Sequence, residues 1–299
     1  MPVLLFFVDG LGIGARGPFN PLDGLDEAAP LAIFQNEEPS LIHDGLLVRT
    51  DACLGVEGRP QSVSGQTTIL TGINAPALLG YHKQGFPNQA LREIINEHSI
   101  FLQLKRAGIG PNAFANAYTQ RFFETRPRWV SATTAAVEAA GMGFRNLEDL
   151  RAGRAVFMDF TNAFLIARGD EDVAARTPEE AGEVLAQIVS EHRFTLYEYF
   201  ITDKIGHAQD MSAARIYLTS LARYLRAVLA NLDLSSTTVV LTSDHGNIED
   251  LSARNHTRNE VPTLLWGAGR ERAARRVRSL SDITPAIVEL LKEEMETNR

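Results

Sequence analysis

Thiols are nearly absent from this chain: Cys53 is the only cysteine in 299 residues. One cysteine excludes an internal disulfide and a metal cage built of thiolates. Long apolar runs are missing too. The N-terminal run Val3–Val8 is six residues long, whereas a membrane helix needs about 20. No basic segment precedes it, so it reads as neither a signal peptide nor a membrane span. Positive charge is also scarce, since Asp and Glu number 37 against 29 Lys and Arg, a formal net charge of −8. That balance argues against nucleic acid or a membrane surface as the general partner, both being negative themselves. The one basic cluster, "GRERAARRVRSL" at 269–280, reads as a solvated helix face. What is present is an apolar content of 44%, enough for a substantial core in one large domain or a domain with an insertion. A cytoplasmic protein is the expectation.

Apolar strand-like runs alternate with helical patterns, which is the signature of an α/β sheet. Strands are expected at 3–8, 46–50, 112–118, 155–159, 195–202, 237–243 and 262–266. Helical periodicity covers about 89–107, 177–192, 211–232 and 283–294, the second opened by Thr177 as N-cap with acids behind it. The stretch from about 119 to 172 shows no clean alternation. It is a candidate small cap or insertion on a single α/β domain spanning 1–299.

The opening "VLLFFVDGLGIGA" admits two readings. Gly10, Gly12 and Ala15 satisfy the dinucleotide fingerprint, but that motif needs a helix at once to meet a pyrophosphate. Pro18 and Pro21 break the stretch that follows. The alternative is a strand that delivers a carboxylate, Asp9, to a metal. Two other apolar runs also end in aspartate: "TLYEYFITD" at Asp203 and "TVVLTSD" at Asp244. Ligands sit beyond the carboxyl ends of strands in open α/β sheets, so these acids can converge there. His207 follows Asp203 by four residues, His245 follows Asp244 directly, and His256 precedes the last strand. Carboxylate oxygens and imidazoles without thiolates suit zinc or manganese. A hydroxyl-rich turn, "GRPQSVSGQTTILTG" at 58–72, reads either as a capped helix start, with Ser62 or Ser64 as cap, or as a serine nucleophile at a helix N-terminus.

The order "VDG", a serine turn ending in "TG", "TDKIGH", "TSDHGN" and "NHT…VP", with "SLSDITPAIVELL" closing the chain, resembles the alkaline phosphatase superfamily. The nearest branch holds the metalloenzymes related to cofactor-independent phosphoglycerate mutase and phosphopentomutase. The resemblance covers roughly residues 1–80 and 195–295. It implies an alkaline-phosphatase-like three-layer sandwich with a mostly parallel central sheet. It also implies two divalent metal ions per chain, zinc or manganese with magnesium as a further option. Asp9, Ser62, Asp244 and His245 match the positions that hold one ion; Asp203, His207 and His256 match those of the other. Ser62 matches the nucleophile, with Ser64 as the fallback register. Gln66 stands where the mutases have histidine, and Arg59, Gln66 and Lys204 are candidate substrate contacts. The expected activity is metal-dependent hydrolysis of small phosphate esters through a phosphoserine, with phosphodiester, sulfate or phosphonate esters as variants. A phosphomutase and a non-catalytic metal-binding scaffold are the alternatives.

Overall fold

The computed structural model describes residues 1–125, 127–169 and 172–297. Among them, six strands form one sheet: β1 (Val3–Val8), β2 (Leu46–Thr50), β3 (Asn112–Phe114), β4 (Phe194–Tyr199), β5 (Thr238–Thr242) and β6 (Val261–Gly267). Their order is β2-β6-β5-β1-β4-β3. The block β5-β1-β4-β3 is parallel, and β6 runs antiparallel to both β5 and β2. The result is an α/β sandwich with a mostly parallel central sheet.

Every residue of β1 is buried, as expected of a central parallel strand covered on both faces. Its side chains alternate between two cores. Leu4, Phe6 and Val8 share one cluster with Leu185 and Val189 of the helix Pro178–Ser190 and with Leu218 and Leu225 of the helix Met211–Asn231. Val3, Leu5 and Phe7 share the other with Val63 and Ile69 of the helix Ser62–Thr71, and with Ile287 and Leu291 of the helix Ile283–Thr297. The sheet is thus the middle of three layers, and its carboxyl edge is free to carry a site.

Several boundaries differ from the sequence expectation, each for a local reason. The apolar run through 195–202 does not end at Asp203: the strand stops at Tyr199, and a helix Ile201–Ala208 begins. Asp203 therefore lies in the first turn of that helix, one turn from His207. The helix expected over 89–107 is two, Gln89–His98 and Ile100–Arg106, because Ser99 leaves helical geometry and caps the second by accepting from Leu102 N. The strand expected at 112–118 ends at Phe114. Beyond it the Asn116 side chain takes over the pairing, donating to Glu198 O at 2.8 Å and accepting from Glu198 N at 2.9 Å. No strand forms at 155–159. Val156 makes only an isolated bridge with Asn116, and the Asp159 carboxylate accepts from Asn162 N and Phe164 N, turning the chain into a short helix, Ala163–Ala167.

The stretch 119–172 divides between environments. The helix Ala132–Ala139 packs into the layer that holds Ser62–Thr71. Leu147, Leu150, Phe157 and Leu165 make a separate small cluster. Residues 126, 170 and 171 of this stretch lie outside the described residues.

Candidate metal centre

β1 ends one residue before Asp9, and the chain then turns sharply at Gly10 (φ +74°). Only glycine suits that turn. A Cβ there is strained at that φ and would lie 2.9 Å from the Asp203 Cα. The close approach lays the β1 turn against the start of the Ile201–Ala208 helix, where Thr202 Oγ1 donates to Asp9 O at 2.5 Å. Gly10 N in turn donates to Asp244 Oδ1 at 3.3 Å. Gly65 allows the Ser62–Thr71 helix to approach Asp244 equally closely, since a Cβ there would be 3.0 Å from both the Asp244 Cβ and its carbonyl oxygen.

These contacts bring all seven sequence-predicted ligands together. Ser62 Oγ lies 2.9 Å from His245 Nε2, which is 3.3 Å from Asp9 Oδ1 and 3.6 Å from Asp244 Oδ2. On the other side, Asp203 Oδ1 is 3.4 Å from His256 Nε2, and Asp203 Oδ2 is 3.4 Å from His207 Nε2. The His245 and His256 rings stack 3.7 Å apart, 12° from parallel, joining the halves. Among the described residues, Asp9, Asp244 and His245 form one group able to hold a metal ion, and Asp203, His245 and His256 another.

The site carries strain that a cation would relieve. Burial pushes the Asp9 carboxyl well above the usual range, and the charges of Asp244 and Asp203 add to the effect. Burial, then the Asp203 charge, pushes Asp244 up to about 7. Asp203 goes the other way: burial opposes ionisation, but the His256 hydrogen bond and the neighbouring imidazoles outweigh it and lower it. Burial, then the His256 charge, pushes His245 down to about 3, so its imidazole is unprotonated at neutral pH and keeps a lone pair. Asp9 Oδ1 is buried without a hydrogen-bond partner among the described residues. His207 Nδ1 and His256 Nδ1 each face a backbone carbonyl at 2.8 Å, Arg254 O and Pro60 O. A carbonyl accepts, so both Nδ1 atoms carry the hydrogen, and in the neutral rings both Nε2 atoms are acceptors. Those two acceptors sit 3.1 Å apart. Only a proton or a cation between them makes that arrangement favourable, and the oxygen and imidazole donor set fits a divalent ion.

The remaining sequence candidates separate. Ser64 Oγ is buried and occupied locally, donating to Gln61 O and accepting from Lys83 N, and it does not join the cluster. Gln66 lines the adjoining cavity, but its Nε2 donates to Asp9 Oδ2 at 3.1 Å and Asp244 Oδ2 at 3.3 Å. Lys204 lines that cavity, whereas Arg59 is exposed and is not among its lining residues. Two acids escaped the sequence reading. Glu249, buried beneath the site, accepts from Gly12 N, Asn247 N, Thr257 Oγ1 and Asn259 Nδ2. Its signal was an acid five residues after Asp244 in "DHGNIE". Glu198 lines the cavity, and burial pushes its carboxyl up to about 7, opposed by a Thr133 hydrogen bond. Its signal was a lone acid inside the apolar strand "FTLYEY".

Solved structures share this architecture. An alkaline phosphatase from a psychrophilic Shewanella species superposes with a TM-score of 0.53 at 12% identity, covering 97% of this chain and 100% of that one. A Pyrococcus horikoshii protein does so with a TM-score of 0.53 at 15% identity, covering 97% and 96%. At these identities the likeness is one of fold, that of an alkaline-phosphatase-like sandwich. Sequence narrows the class. Residues 171–295 match the family model described as the Metalloenzyme superfamily. The 2,3-bisphosphoglycerate-independent phosphoglycerate mutase of Dinoroseobacter shibae is 30% identical over 120 residues, 38% of this chain and 24% of the mutase. The phosphopentomutase of Alkaliphilus metalliredigens is 23% identical over 208 residues, 67% of this chain and 50% of the mutase. The chain thus spans about a quarter to half the length of these relatives. Its sequence likeness is to the Metalloenzyme superfamily over residues 171–295 and, over part of their length, to these mutases.

Proposed function

We propose that the protein is a metal-dependent hydrolase of phosphate esters that works through a phosphoserine on Ser62. The observation that carries this reading is the Ser62 hydroxyl, 2.9 Å from His245 Nε2, beside clustered carboxylates and imidazoles in which Asp9 Oδ1 is buried without a hydrogen-bond partner among the described residues. Asp9, Ser62, Asp244 and His245 would hold one divalent ion, and Asp203, His207 and His256 the other. When bound, such ions supply Lewis-acid activation of a hydroxyl and neutralise phosphoryl charge. The chain's own residues do the rest. Ser62 Oγ attacks phosphorus, the alcohol leaves with a proton, and water then cleaves the phosphoserine to free phosphate. Gln66 holds Asp9 and Asp244 in place through its amide. Lys204, which lines the adjoining cavity, would neutralise substrate oxygens.

Gln66 also bears on the rival reading, favoured by the names of the relatives, that this is a phosphomutase. An amide cannot exchange a proton near neutral pH as the mutases' histidine can. A mutase must also hold its dephosphorylated intermediate away from water, and a small cap drawn from 119–172 offers little chain for that. The deciding experiment is phosphorus NMR on protein loaded with zinc or manganese, given ribose 5-phosphate or 3-phosphoglycerate. Free phosphate is the expected product. Positional exchange without free phosphate means a mutase, and no turnover of any phosphoester removes the catalytic reading.

A further inference from the structure

Beside the metal cluster lies a cavity of about 590 Å³, bounded at its inner end by Asp9, Ser62 and Asp203. Ligand-sized clefts run roughly 300–1,000 Å³, so a three-carbon phosphate would leave most of this one unfilled. Its walls are made of rings. Tyr118 and Phe122 lie 4.2 Å apart, and both pack on Phe144, at 4.9 and 5.4 Å, which fixes them as one rigid surface. Phe86 and Trp129, from two other segments, also line the cavity, and they are 51% and 50% exposed. Large aromatic faces left half in water at the mouth of a catalytic cavity are surface that a ligand would cover. The Trp129 face is electron-rich and already flanked by two guanidinium groups, with Cζ of Arg92 at 5.1 Å and of Arg128 at 5.3 Å from the ring. Polar side chains line it as well, among them Gln66, Asn116, Arg168, Glu198 and Lys204, and three hydroxyls meet at one point of the wall. Tyr118 OH meets Thr134 Oγ1 at 2.7 Å, and Ser131 Oγ meets the same atom at 2.9 Å.

We infer that this cavity selects phosphate esters whose alcohol carries a flat, nitrogen-containing ring system of nucleobase size. The phosphate would lie at Ser62, the ring between the aromatic walls, and its polar edge at the Ser131 and Thr134 hydroxyls. Stacking on such faces is tolerant of sequence and substituent, because every base offers a π-face. This inference rests on the phosphoester reading above, but it concerns the alcohol and not the chemistry at phosphorus.

The test compares adenosine 5′-monophosphate with ribose 5-phosphate, which both carry the phosphate on a primary alcohol and differ at C1, where the sugar phosphate has an anomeric hydroxyl in place of the base. On metal-loaded protein, kcat/KM for the nucleotide is expected to exceed that for the sugar phosphate by about ten-fold or more, the effect of one base stacked on an aromatic ring. Trp129→Ala and Phe122→Leu should each reduce that ratio toward one. A second readout needs no turnover. Adenosine, which has no phosphate, should quench the fluorescence of Trp129, with Trp129→Phe identifying the share that belongs to Trp266. Equal rates on both esters with unmoved fluorescence overturn the inference and leave the hydrolase standing. Quenching without any hydrolysis supports the ring site and removes the hydrolase.

Discussion

Ser62 and Ser64 are two residues apart, yet they face different worlds. Ser64 is bonded within its own turn, while Ser62 is turned toward His245. Ser62→Ala is therefore expected to lower turnover by at least roughly 10³-fold and leave metal content near the wild-type level, since the two aspartates and His245 remain. Ser64→Ala should keep most activity. Intact-mass measurement after an acid quench checks both, and a phosphate adduct on a peptide of the Ser62→Ala protein would reverse the assignment. Glu198 yields a separate test through pH. Its carboxyl is pushed from 4.5 up to about 7, so the folded protein holds a proton that the unfolded chain releases between those values. The stability this contributes is full below pH 4.5 and is lost as pH rises through about 7. Glu198→Gln keeps the shape and cannot ionise. Its advantage over wild type should grow by up to about 3 kcal/mol between pH 4.5 and about pH 8. Urea unfolding of the chelated proteins measures this, and a difference that does not move with pH counts against a proton held at Glu198.

At the scale of elements, the site is a set of loops fixed by one acid. The Glu249 carboxylate gathers the turn after β1 through Gly12 N at 3.0 Å and the turn after β5 through Asn247 N at 2.7 Å. It gathers the His256 loop through Asn259 Nδ2 at 3.0 Å and Thr257 Oγ1 at 2.5 Å. Both oxygens are filled with donors. Glu249→Ala strands those donors in the interior, at an expected cost of about 3 kcal/mol or more, and Glu249→Gln, with a single acceptor oxygen, should recover only part of it. Urea midpoints and metal stoichiometry read the two effects side by side. The strand-then-aspartate segments were legible in the sequence because each is a short contiguous pattern with a fixed chemical meaning. Asp203 joins the other two aspartates although its strand ends at Tyr199, because it lies in the first turn of the helix that follows. The fate of the expected strand at 155–159 was not legible, since a hydrogen-bonding aspartate, Asp159, overrides an apolar run only through contacts made in the fold. The aromatic wall was hidden for a different reason. Phe86, Tyr118 and Trp129 lie far apart along the chain, and no local periodicity joins them.

For the molecule as a whole, the proposed metal site ties ion binding to stability. Two ions that bound only the folded state would each add RT ln(1 + [L]/Kd) to its stability, about 2.7 kcal/mol at a hundred-fold excess. Chelation is expected to lower the melting temperature by about 5–10 °C, with recovery on adding zinc or manganese, and calorimetry before and after dialysis against chelator measures it. A melting temperature indifferent to chelator would mean that the clustered acids and imidazoles hold no ion. No helix among the described residues is long and apolar enough to cross a membrane. The central position of β1 in the sheet has a consequence for how the protein is made. Val3 pairs with Phe194 on one side and Thr238 on the other, so β1 leaves the ribosome long before either of its neighbours. At a synthesis rate of roughly 5–20 residues per second, it waits on the order of 10–50 s. Throughout that interval a wholly apolar strand stands unpaired beside a growing chain. Shielding residues 3–8 over that interval would keep the strand from pairing with other chains.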